Sequence, residues 1–379
     1  MKFRVERDVL ADAVAWVART LPSRPSMPML AGLLLEVGDG PEPGLTLSTF
    51  DYEVSARVAI AAQVDDPGRT LVSGRLLADI ARALPAAPVQ VDLEGSRVSL
   101  RCGRAAFTLP TLPVEDYPSL PAMPSASGSV PGAVLAGAVA QVAIAAGRDD
   151  TLPTLTGIRV EIDGDLVTLA ATDRYRLAVR EFAWSPQTGG LQTAALVPAR
   201  TLAETAKALA GADEVLLALS ASGGGEGLMG FEGVSRRTTT RLLDGEFPKY
   251  RSLLPTESAT VASVDTGPLV DAVKRVALVA ERNTPVRLSF AADELVLRAG
   301  TGDEAQATEV LECQVEGDPI EISFNPQYLL DGLGAVEAPV TRLAFTSSAR
   351  PAVLTGLAEA GGQVSTAYRY LLMPVRLTG

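Results

Sequence analysis

The side chains that most often carry out catalysis are absent from this sequence or isolated within it. The sequence contains no histidine, the commonest general base and metal ligand in proteins. The acidic pairs Asp149-Asp150 and Asp303-Glu304 are candidate metal ligands, but isolated pairs of this kind usually lie in solvated loops or caps. The glycine-rich run 222–227 lacks the Gly-Lys-Ser/Thr ending of a phosphate-binding loop. We therefore expect no catalytic residue, no metal site and no cofactor.

The length and composition predict a cytoplasmic protein with more than one domain. The chain has 379 residues, of which 47% are hydrophobic, whereas single cores stop growing at about 250–300 residues. No apolar run approaches the roughly 18 residues of a membrane span. The charged start Met1–Arg7 lacks the apolar core of a signal peptide. The two cysteines, Cys102 and Cys313, lie far apart, which is typical of a reducing compartment.

Three segments of the chain each begin with an amphipathic helix that is followed by short strands. The helices are predicted at Asp8–Thr20, Pro131–Ala146 and Pro268–Ala280. The dipeptide Asp163-Gly164 is a hairpin signal between two of the strands in the second segment. Because the connections between strands are short, adjacent strands are expected to pair antiparallel.

The second half of each segment contains another helix, and these helices align in register. The aligned stretches are Val72–Asp79, Val197–Glu204 and Phe324–Asp331. Leucine recurs at one position, as Leu77, Leu202 and Leu329, and an acid two residues later. The fold class is therefore α+β, with three tandem copies of one helix/antiparallel-sheet unit. We place the domains at 1–125, 126–255 and 256–379, with linkers at 121–129 and 255–263.

Basic residues recur at matching positions of these helices. Arg75 and Arg82 are seven residues apart and so share a helix face, and Arg200 and Lys207 match them in the second unit. Arg24 and Arg148 extend the pattern. The formal net charge of −12 argues against nucleic-acid binding by bulk charge. A basic surface repeated in register instead favours sequence-independent contact with phosphates.

Two other classes of protein stay open on these residues alone. One is an enzyme with a carboxylate or lysine site at a domain junction, although no motif supports it. The other is a scaffold that binds proteins but not DNA. Such a scaffold would not require the repeated basic face of Arg75 and Arg82 with Arg200 and Lys207.

Six segments in order resemble a known family over essentially the whole chain. They are Met1–Arg7, Arg24–Leu30, Ala171–Ala178, Asp244–Tyr250, Phe324–Leu329 and Tyr370–Leu377. Together they resemble the bacterial DNA polymerase III beta subunit, the sliding clamp. The composition, rich in Arg, Ala and Gly and poor in Lys, resembles an actinobacterial member. Arg174-Tyr175 differs from the Gly-His that follows Ala-Thr-Asp in the best-known Gram-negative form.

The resemblance implies a ring-shaped processivity factor for DNA replication that hydrolyses nothing. Two chains would join head to tail as a homodimer with six domains around duplex DNA. A clamp loader would open the ring, and the DNA polymerase III alpha subunit and other partners would dock short peptides between domains two and three.

The same resemblance implies where the sites lie. The DNA-contacting residues would be Arg24, Arg75, Arg82, Arg148, Arg200 and Lys207. The edge strand Arg101–Leu109 would meet domain three of the neighbour, with Phe107 and Leu109 on one face. The peptide pocket would be formed by Leu155, Thr172, Arg174, Tyr175, Arg176, Leu177, Pro248, Asn325, Tyr328, Met373, Pro374, Val375 and Arg376.

Overall fold

A computed structural model describes residues 1–38, 44–220, 227–280, 284–300 and 305–375. Outside this part of the chain lie the candidate metal-ligand pair Asp303-Glu304, residues 222–226 of the glycine-rich run and the predicted pocket residue Arg376. The described residues form six α-helices. These are α1 Arg7–Val17, α2 Gly74–Ala83, α3 Gly132–Ala143, α4 Ala199–Ala208, α5 Thr266–Val276 and α6 Pro326–Ala335.

Short 3-10 helices continue α1 and α5 at Ala18–Thr20 and Ala277–Val279. The predicted helices Asp8–Thr20 and Pro268–Ala280 therefore end in a tightened last turn, as helices often do. Other 3-10 helices lie at Pro28–Ala31, Pro153–Leu155 and Tyr250–Leu253. Within the described part of the chain, every helix is too short or too polar to traverse a lipid bilayer.

The strands fall in three stretches of the chain. The first contains β1 Lys2–Val5, β2 Gly32–Gly38, β3 Gly44–Phe50, β4 Val54–Ala61, β5 Gln63–Asp66, β6 Gly68–Ser73, β7 Val89–Glu94, β8 Arg97–Cys102 and β9 Ala105–Leu112. The second contains β10 Ala126–Val130, β11 Gly157–Asp163, β12 Leu166–Thr172, β13 Arg176–Ala183, β14 Ser185–Pro186, β15 Gln192–Pro198, β16 Val215–Leu219, β17 Leu228–Gly233 and β18 Arg236–Arg241. The third contains β19 Thr260–Asp265, β20 Val286–Ala291, β21 Glu294–Ala299, β22 Ala307–Glu312, β23 Gln314–Gly317, β24 Ile320–Phe324, β25 Val340–Phe345, β26 Ala352–Leu357 and β27 Tyr368–Leu372.

The chain divides into two compact units. The first comprises Met1–Ala133, Ser185–Thr188 and Glu204–Leu242, and the second comprises Val134–Trp184, Gly189–Ala203 and Leu243–Gly379. The first unit has a sheet of order β14-β10-β16-β17-β18-β4-β3-β2-β6-β9-β8-β7-β1-β5. The second has the sheets β15-β11-β12-β13-β27-β26-β25-β19-β23 and β22-β21-β20-β24. Neighbouring described strands pair antiparallel, which confirms the α+β prediction.

Helices cover one face of the sheet in the first unit. Leu10 and Val14 of α1 and Leu77 of α2 are buried in one apolar cluster with Phe3 of β1. Their spacing places them on the inner face of each helix. Each such leucine contributes about 1.5–3 kcal/mol by burial.

A glycine allows close packing in the second unit. Helices α5 and α6 pack against each other, and α6 also contacts β27. A Cβ atom on Gly332 of α6 would overlap the ring of Tyr370 in β27. Tyr370 is fully buried, and its hydroxyl donates a hydrogen bond to the backbone carbonyl of Tyr328, 2.8 Å away. Gly332 therefore sets the distance between the pocket-forming helix α6 and the sheet.

Two predicted linkers are partly wrong, because both end in strands. Residues 126–130 form β10, which pairs with β16, and residues 260–265 form β19, which pairs with β25. The prolines and serines that indicated linkers lie mainly before these strands. The strands that pair with β10 and β19 are distant from them in sequence, so local composition did not predict the pairing.

Candidate functional site

A tight turn joins β12 to β13 and begins the candidate pocket. The Asp173 carboxylate oxygen Oδ1 accepts hydrogen bonds from the backbone amides of Tyr175 and Arg176, at 3.0 and 3.1 Å. The Thr172 hydroxyl donates to the Arg176 carbonyl at 2.7 Å and accepts from the Arg174 amide at 3.2 Å. These bonds hold Arg174 at φ +79°, in the left-handed region that few residues other than glycine adopt.

The first unit contains a second copy of this turn. Asp51 Oδ1 accepts hydrogen bonds from the amides of Glu53 and Val54, at 3.0 and 2.7 Å, and Tyr52 has φ +75°. The carbonyl of Glu53 accepts from the amide of Arg241, the last residue of β18, at 2.9 Å. Two copies of one turn with the same bonding pattern follow from the internal repeat.

In the second unit, the C-terminal segment occupies the place that Arg241 has in the first. The Met373 amide donates to the Tyr175 carbonyl at 2.8 Å, and the Val375 amide donates to the Ser323 carbonyl at 2.8 Å. Met373 and Val375 remain 39% and 36% exposed, and Pro374 is half-buried. The segment therefore presents apolar side chains beside the turn while its backbone is held.

Arg176 links the turn to helix α6. The side chain is only 7% exposed, and its Nε lies 2.9 Å from Asp173 Oδ2 while its Nη1 lies 2.6 Å from Asp331 Oδ2. Its guanidinium carbon lies 4.3 Å from the centre of the Tyr328 ring. Burial disfavours the charge, but interactions with Asp331, Tyr370 and Asp173 outweigh it and raise the pKa of Arg176. Arg176 is therefore permanently charged and connects the turn to helix α6.

Helix α6 is oriented by its first residues. The side chain of Asn325 caps the helix by accepting hydrogen bonds from the amides of Gln327 and Tyr328, at 3.0 and 3.2 Å. The cap places Tyr328 beside Tyr175, with ring centres 6.2 Å apart and planes inclined by 29°. Tyr175 is 55% exposed, so an aromatic surface faces solvent here.

These groups border a cavity of about 700 Å³. Five of the predicted pocket residues line it: Leu155, Arg174, Tyr175, Arg176 and Tyr328. The remaining lining residues are Ala146, Gly147, Arg148, Asp149, Leu152, Asp173, Gln327 and Asp331. Thr172 and Asn325 do not line the cavity. They support it, Thr172 by stabilising the turn and Asn325 by capping helix α6.

Met373, Pro374 and Val375 do not line this cavity, and two further predicted pocket residues, Leu177 and Pro248, lie elsewhere. Leu177 is 1% exposed and packs in an apolar cluster with Leu371 and Tyr250, so it supports the sheet and does not line the cavity. The alternation along β13 turns Leu177 to the opposite side of the sheet from Arg176. Pro248 borders a different depression, of about 380 Å³, with Phe247 and Tyr250.

The sequence did not identify Gln327, Asp331 or Asp149 as pocket residues. Asp331 stood out only as an acid recurring on the aligned helices, and its partner Arg176 is 155 residues away in sequence. Asp149 belongs to an acidic pair, but its Oδ1 accepts from the amide and hydroxyl of Thr151 at 3.0 and 2.6 Å. Among the described residues no acidic, histidine or cysteine cluster is suited to a metal ion.

The predicted basic residues are all exposed. Arg24, Arg75, Arg82 and Lys207 belong to the first unit, and Arg148 and Arg200 to the second. On α2, Arg75 and Arg82 share the exposed side; Arg75 donates to the Pro22 carbonyl at 3.0 Å. In the second unit, Arg148 and Arg200 border one cavity of about 560 Å³. Their contact with DNA stays a prediction.

The predicted interface strand requires a correction. Residues 101–109 are not one strand, because β8 ends at Cys102 and β9 begins at Ala105 after a turn. Phe107 is 37% exposed, but Leu109 on the same face is 1% exposed and belongs to the core. Leu109 lies nearer the end of β9 that pairs with β6, whereas Phe107 lies where β9 pairs with β8 alone.

Solved sliding clamps share this fold. A sliding clamp from Pseudomonas aeruginosa bound to griselimycin matches with a TM-score of 0.91 and 27% identity, over 100% of both chains. The sliding clamp of Bacillus subtilis matches with a TM-score of 0.91 and 26% identity, over 100% of this chain and 99% of that one. The fold therefore places the chain in the class of DNA sliding clamps.

Family comparison identifies the particular family. Models of the DNA polymerase III beta subunit match its N-terminal domain at residues 1–121, its central domain at 129–249 and its C-terminal domain at 251–376. The beta sliding clamp of Streptomyces coelicolor, an actinobacterium, is 62% identical over 379 residues, 100% of both chains. The chain belongs to the bacterial DNA polymerase III beta subunit family, the beta sliding clamps. The resemblance and the three tandem α+β copies predicted from sequence are thereby confirmed.

Proposed function

We propose that this chain forms a head-to-tail homodimeric ring around duplex DNA and tethers replication and repair proteins through the cavity beside Arg176. The observation that carries the proposal is the pairing of the C-terminal segment with the turn, Met373 amide to Tyr175 carbonyl, at the edge of an aromatic cavity. This arrangement brings the segment that follows the last strand to the turn that carries Arg174-Tyr175.

The cavity suits a short peptide with apolar anchors. Tyr175 and Tyr328 provide aromatic surface, and Met373 provides a flexible apolar side chain that can adapt to different ligands. The polar groups of the Arg176 network can fix the direction of the peptide. We assign the DNA polymerase III alpha subunit and the clamp loader as partners of this cavity, by family membership.

DNA contact is assigned to the six exposed basic residues. Arg24, Arg75, Arg82, Arg148, Arg200 and Lys207 would touch phosphates without reading bases. A clamp must slide, so each contact should be weak and salt-sensitive. Residence on DNA would then come from closure of the ring around the duplex.

Ring closure requires two different complementary surfaces. In the first unit, residues 105–110 of β9 pair only with β8, among the described strands, and expose Phe107. In the second unit, β22 pairs only with β21, again among the described strands, and exposes Val310. An open edge strand is a ready template for pairing with another chain. We propose that β9 of one copy pairs with β22 of the next, with domains at 1–125, 126–255 and 256–379.

We further propose that the chain is not an enzyme and uses no cofactor. The titratable groups at the cavity support this assignment, because Asp173 and Asp331 both hold Arg176. They are occupied in a structural network and offer no pair of carboxylates poised for acid–base chemistry.

Deletion of Met373–Gly379 tests the docking proposal. The full chain should bind a peptide of the Gln-Leu-x-Leu-Phe type, and the truncated chain should lose that binding while remaining dimeric. Fluorescence anisotropy measures the first property and sedimentation the second. A chain lacking only Thr378-Gly379 is the matched control and should bind as the full chain does. Equal peptide binding by the Met373–Gly379 deletion would refute the pocket assignment without affecting the ring.

A further inference from the structure

The sheet β22-β21-β20-β24 has an exposed face on which two arginines lie side by side. Arg287 in β20 and Arg298 in β21 are direct cross-strand partners, and the alternation along both strands turns them away from the buried Leu288 and Leu297. Side chains directly opposite each other on an antiparallel pair have Cβ atoms about 4.5–5.5 Å apart, and like charges in this position repel. The fold therefore holds two positive charges together at a cost in stability.

Only one carboxylate balances this pair. The Nε of Arg287 lies 3.6 Å from Oε1 of Glu321, which is too long for a hydrogen bond, and the second oxygen of Glu321 accepts from the Ser289 hydroxyl at 2.9 Å. Arg298 is exposed and makes no ion pair with any residue that the structure describes. One positive charge is therefore uncompensated, and both guanidinium groups have donors available to a ligand.

The pair lies close to the C-terminal segment that pairs with the β12–β13 turn. Ser323 of β24 is the cross-strand partner of Arg287, and its carbonyl accepts from the Val375 amide at 2.8 Å. Because neighbouring strands lie about 4.8 Å apart, Arg287 lies roughly 10 Å and Arg298 roughly 15 Å from Val375. An extended peptide covers these distances with about three to five residues.

The rest of this face indicates which kind of ligand fits. Glu294 and Glu312 are cross-strand partners on the same face, and Glu294 lies four residues before Arg298, roughly 13 Å along the strand. A nucleic acid backbone, with its evenly spaced phosphates, would meet these acids, whereas one or two carboxylates can contact the arginines alone. The planar guanidinium group matches a carboxylate with two parallel hydrogen bonds.

We infer that Arg287 and Arg298 form an accessory surface for an acidic segment of a partner protein, outside the peptide that the partner docks at the cavity. The inference rests on the proposed docking and adds a second contact, about three to five residues beyond Val375. Attachment at the cavity raises the effective concentration of the acidic segment, so a contact too weak to hold a separate peptide becomes effective. Pairing of β22 with a neighbouring chain would leave this face uncovered, because strands pair in the plane of the sheet.

Extended peptides that differ only in charge test the inference. A labelled Gln-Leu-Ser-Leu-Phe core is joined through a Gly-Ser-Gly-Ser spacer to Asp-Asp or to Asn-Asn, placed before the core in one pair of peptides and after it in another. Anisotropy follows binding to the full chain at about 50 mM and about 500 mM salt. In one of the two pairs, the Asp-Asp peptide should bind about fivefold more tightly at low salt, as expected for exposed ion pairs. The ratio should shrink at high salt.

Three variants locate the effect. Arg298→Gln should bring the Asp-Asp/Asn-Asn ratio close to one, and Arg298→Glu should bring it below one. Neither change should weaken binding of the core peptide or lower the midpoint of urea unfolding, because both remove a like-charge repulsion. Arg350→Gln, at an exposed arginine in the same unit, is the control and should leave the ratio unchanged.

The outcomes separate this inference from the proposed function. If the core peptide binds but the full chain has equal affinity for the Asp-Asp and Asn-Asn peptides in both pairs, the accessory surface is overturned and the docking cavity stands. A ratio that persists in Arg298→Gln also overturns the accessory surface, because the acids would then be bound elsewhere. A lower unfolding midpoint in Arg298→Gln would overturn the claim that Arg298 is free for a ligand. Failure of the core peptide to bind the full chain overturns both proposals.

Discussion

Nη1 of Arg176 donates a hydrogen bond to Oδ2 of Asp331 across 2.6 Å, joining residues that are 155 apart in sequence. The bond connects β13 to helix α6, and both elements contribute side chains to the cavity. Tyr328 lies beneath the same guanidinium, on the same helix. The geometry of the cavity therefore depends on this one pair.

Replacing Asp331 by Asn should destabilise the chain and weaken peptide binding. Arg176 would keep only Asp173 as an ionic partner while remaining buried, so the free energy of unfolding should fall by about 1–3 kcal/mol. Urea unfolding and peptide anisotropy measure the two effects. Asp271→Asn is the control: it removes an exposed pair with Lys274, at 3.8 Å, and should cost less than about 0.5 kcal/mol. Equal losses in the two variants would contradict the role given to Asp331.

Two glycines of α6 should respond in opposite ways to alanine. Gly332→Ala places a methyl group against the buried ring of Tyr370, and overpacking of this kind costs about 1–3 kcal/mol. Gly334→Ala meets no atom within 4 Å and should stabilise the helix by about 0.5–1 kcal/mol. Thermal melts of both variants check the difference, and Gly332→Ala should also weaken peptide binding. A neutral Gly332→Ala would contradict the proposed packing between α6 and β27.

Phe107→Ser should produce folded monomers. The side chain is partly exposed on an open strand edge, so its loss should affect association more than folding. Sedimentation at low micromolar concentration, with circular dichroism as the check on folding, gives the result. Leu166→Ser is the control, because Leu166 is similarly exposed, 40%, on a strand that is paired on both sides. Persistence of the Phe107→Ser dimer would refute the interface.

Leu109 is unsuitable for that test, although it was predicted together with Phe107. It is buried in the core of the first unit, where truncation of a leucine to alanine typically costs about 2–5 kcal/mol. A Leu109 variant would fail to dimerise because the first unit would unfold, so it would not test the interface.

Neutralising two basic residues should weaken DNA contact evenly across sequences. Arg24→Gln with Arg82→Gln removes two of the six assigned charges, so the slope of log affinity against log salt should become shallower by up to about 2. Titration of two duplexes of unrelated sequence at several salt concentrations measures this slope. Arg350→Gln should leave it unchanged. An effect confined to one duplex would indicate base reading and would contradict the assignment.

Local pattern predicted the elements of this fold well. The hairpin at Asp163-Gly164 forms as expected, with Gly164 at φ +62°, and the aligned leucines Leu77, Leu202 and Leu329 are all buried. These features depend on neighbours within a few residues. Helix ends differed by a turn, because 3-10 geometry has nearly the same sequence signal as the α-helix it extends.

Features that depend on distant partners were predicted less well. The strands β10 and β19 were taken for linkers, and Leu109 was assigned to a surface that the core in fact covers. Thr172, Arg174, Arg176 and Tyr328 were named through family resemblance, but the ion pair between Arg176 and Asp331 has no sequence signal. A charge pair 155 residues apart becomes visible only when β13 and α6 are in place.

Release from cut DNA tests the central claim most directly. The clamp is loaded onto circular duplex DNA by its loader and ATP, free protein is washed away at a salt concentration where unloaded chain does not bind, and the circle is then cut once. Because residence is attributed to a closed ring and not to affinity, the clamp should stay on the intact circle and leave the linear product from its ends. Equal retention on circular and linear DNA would contradict the account.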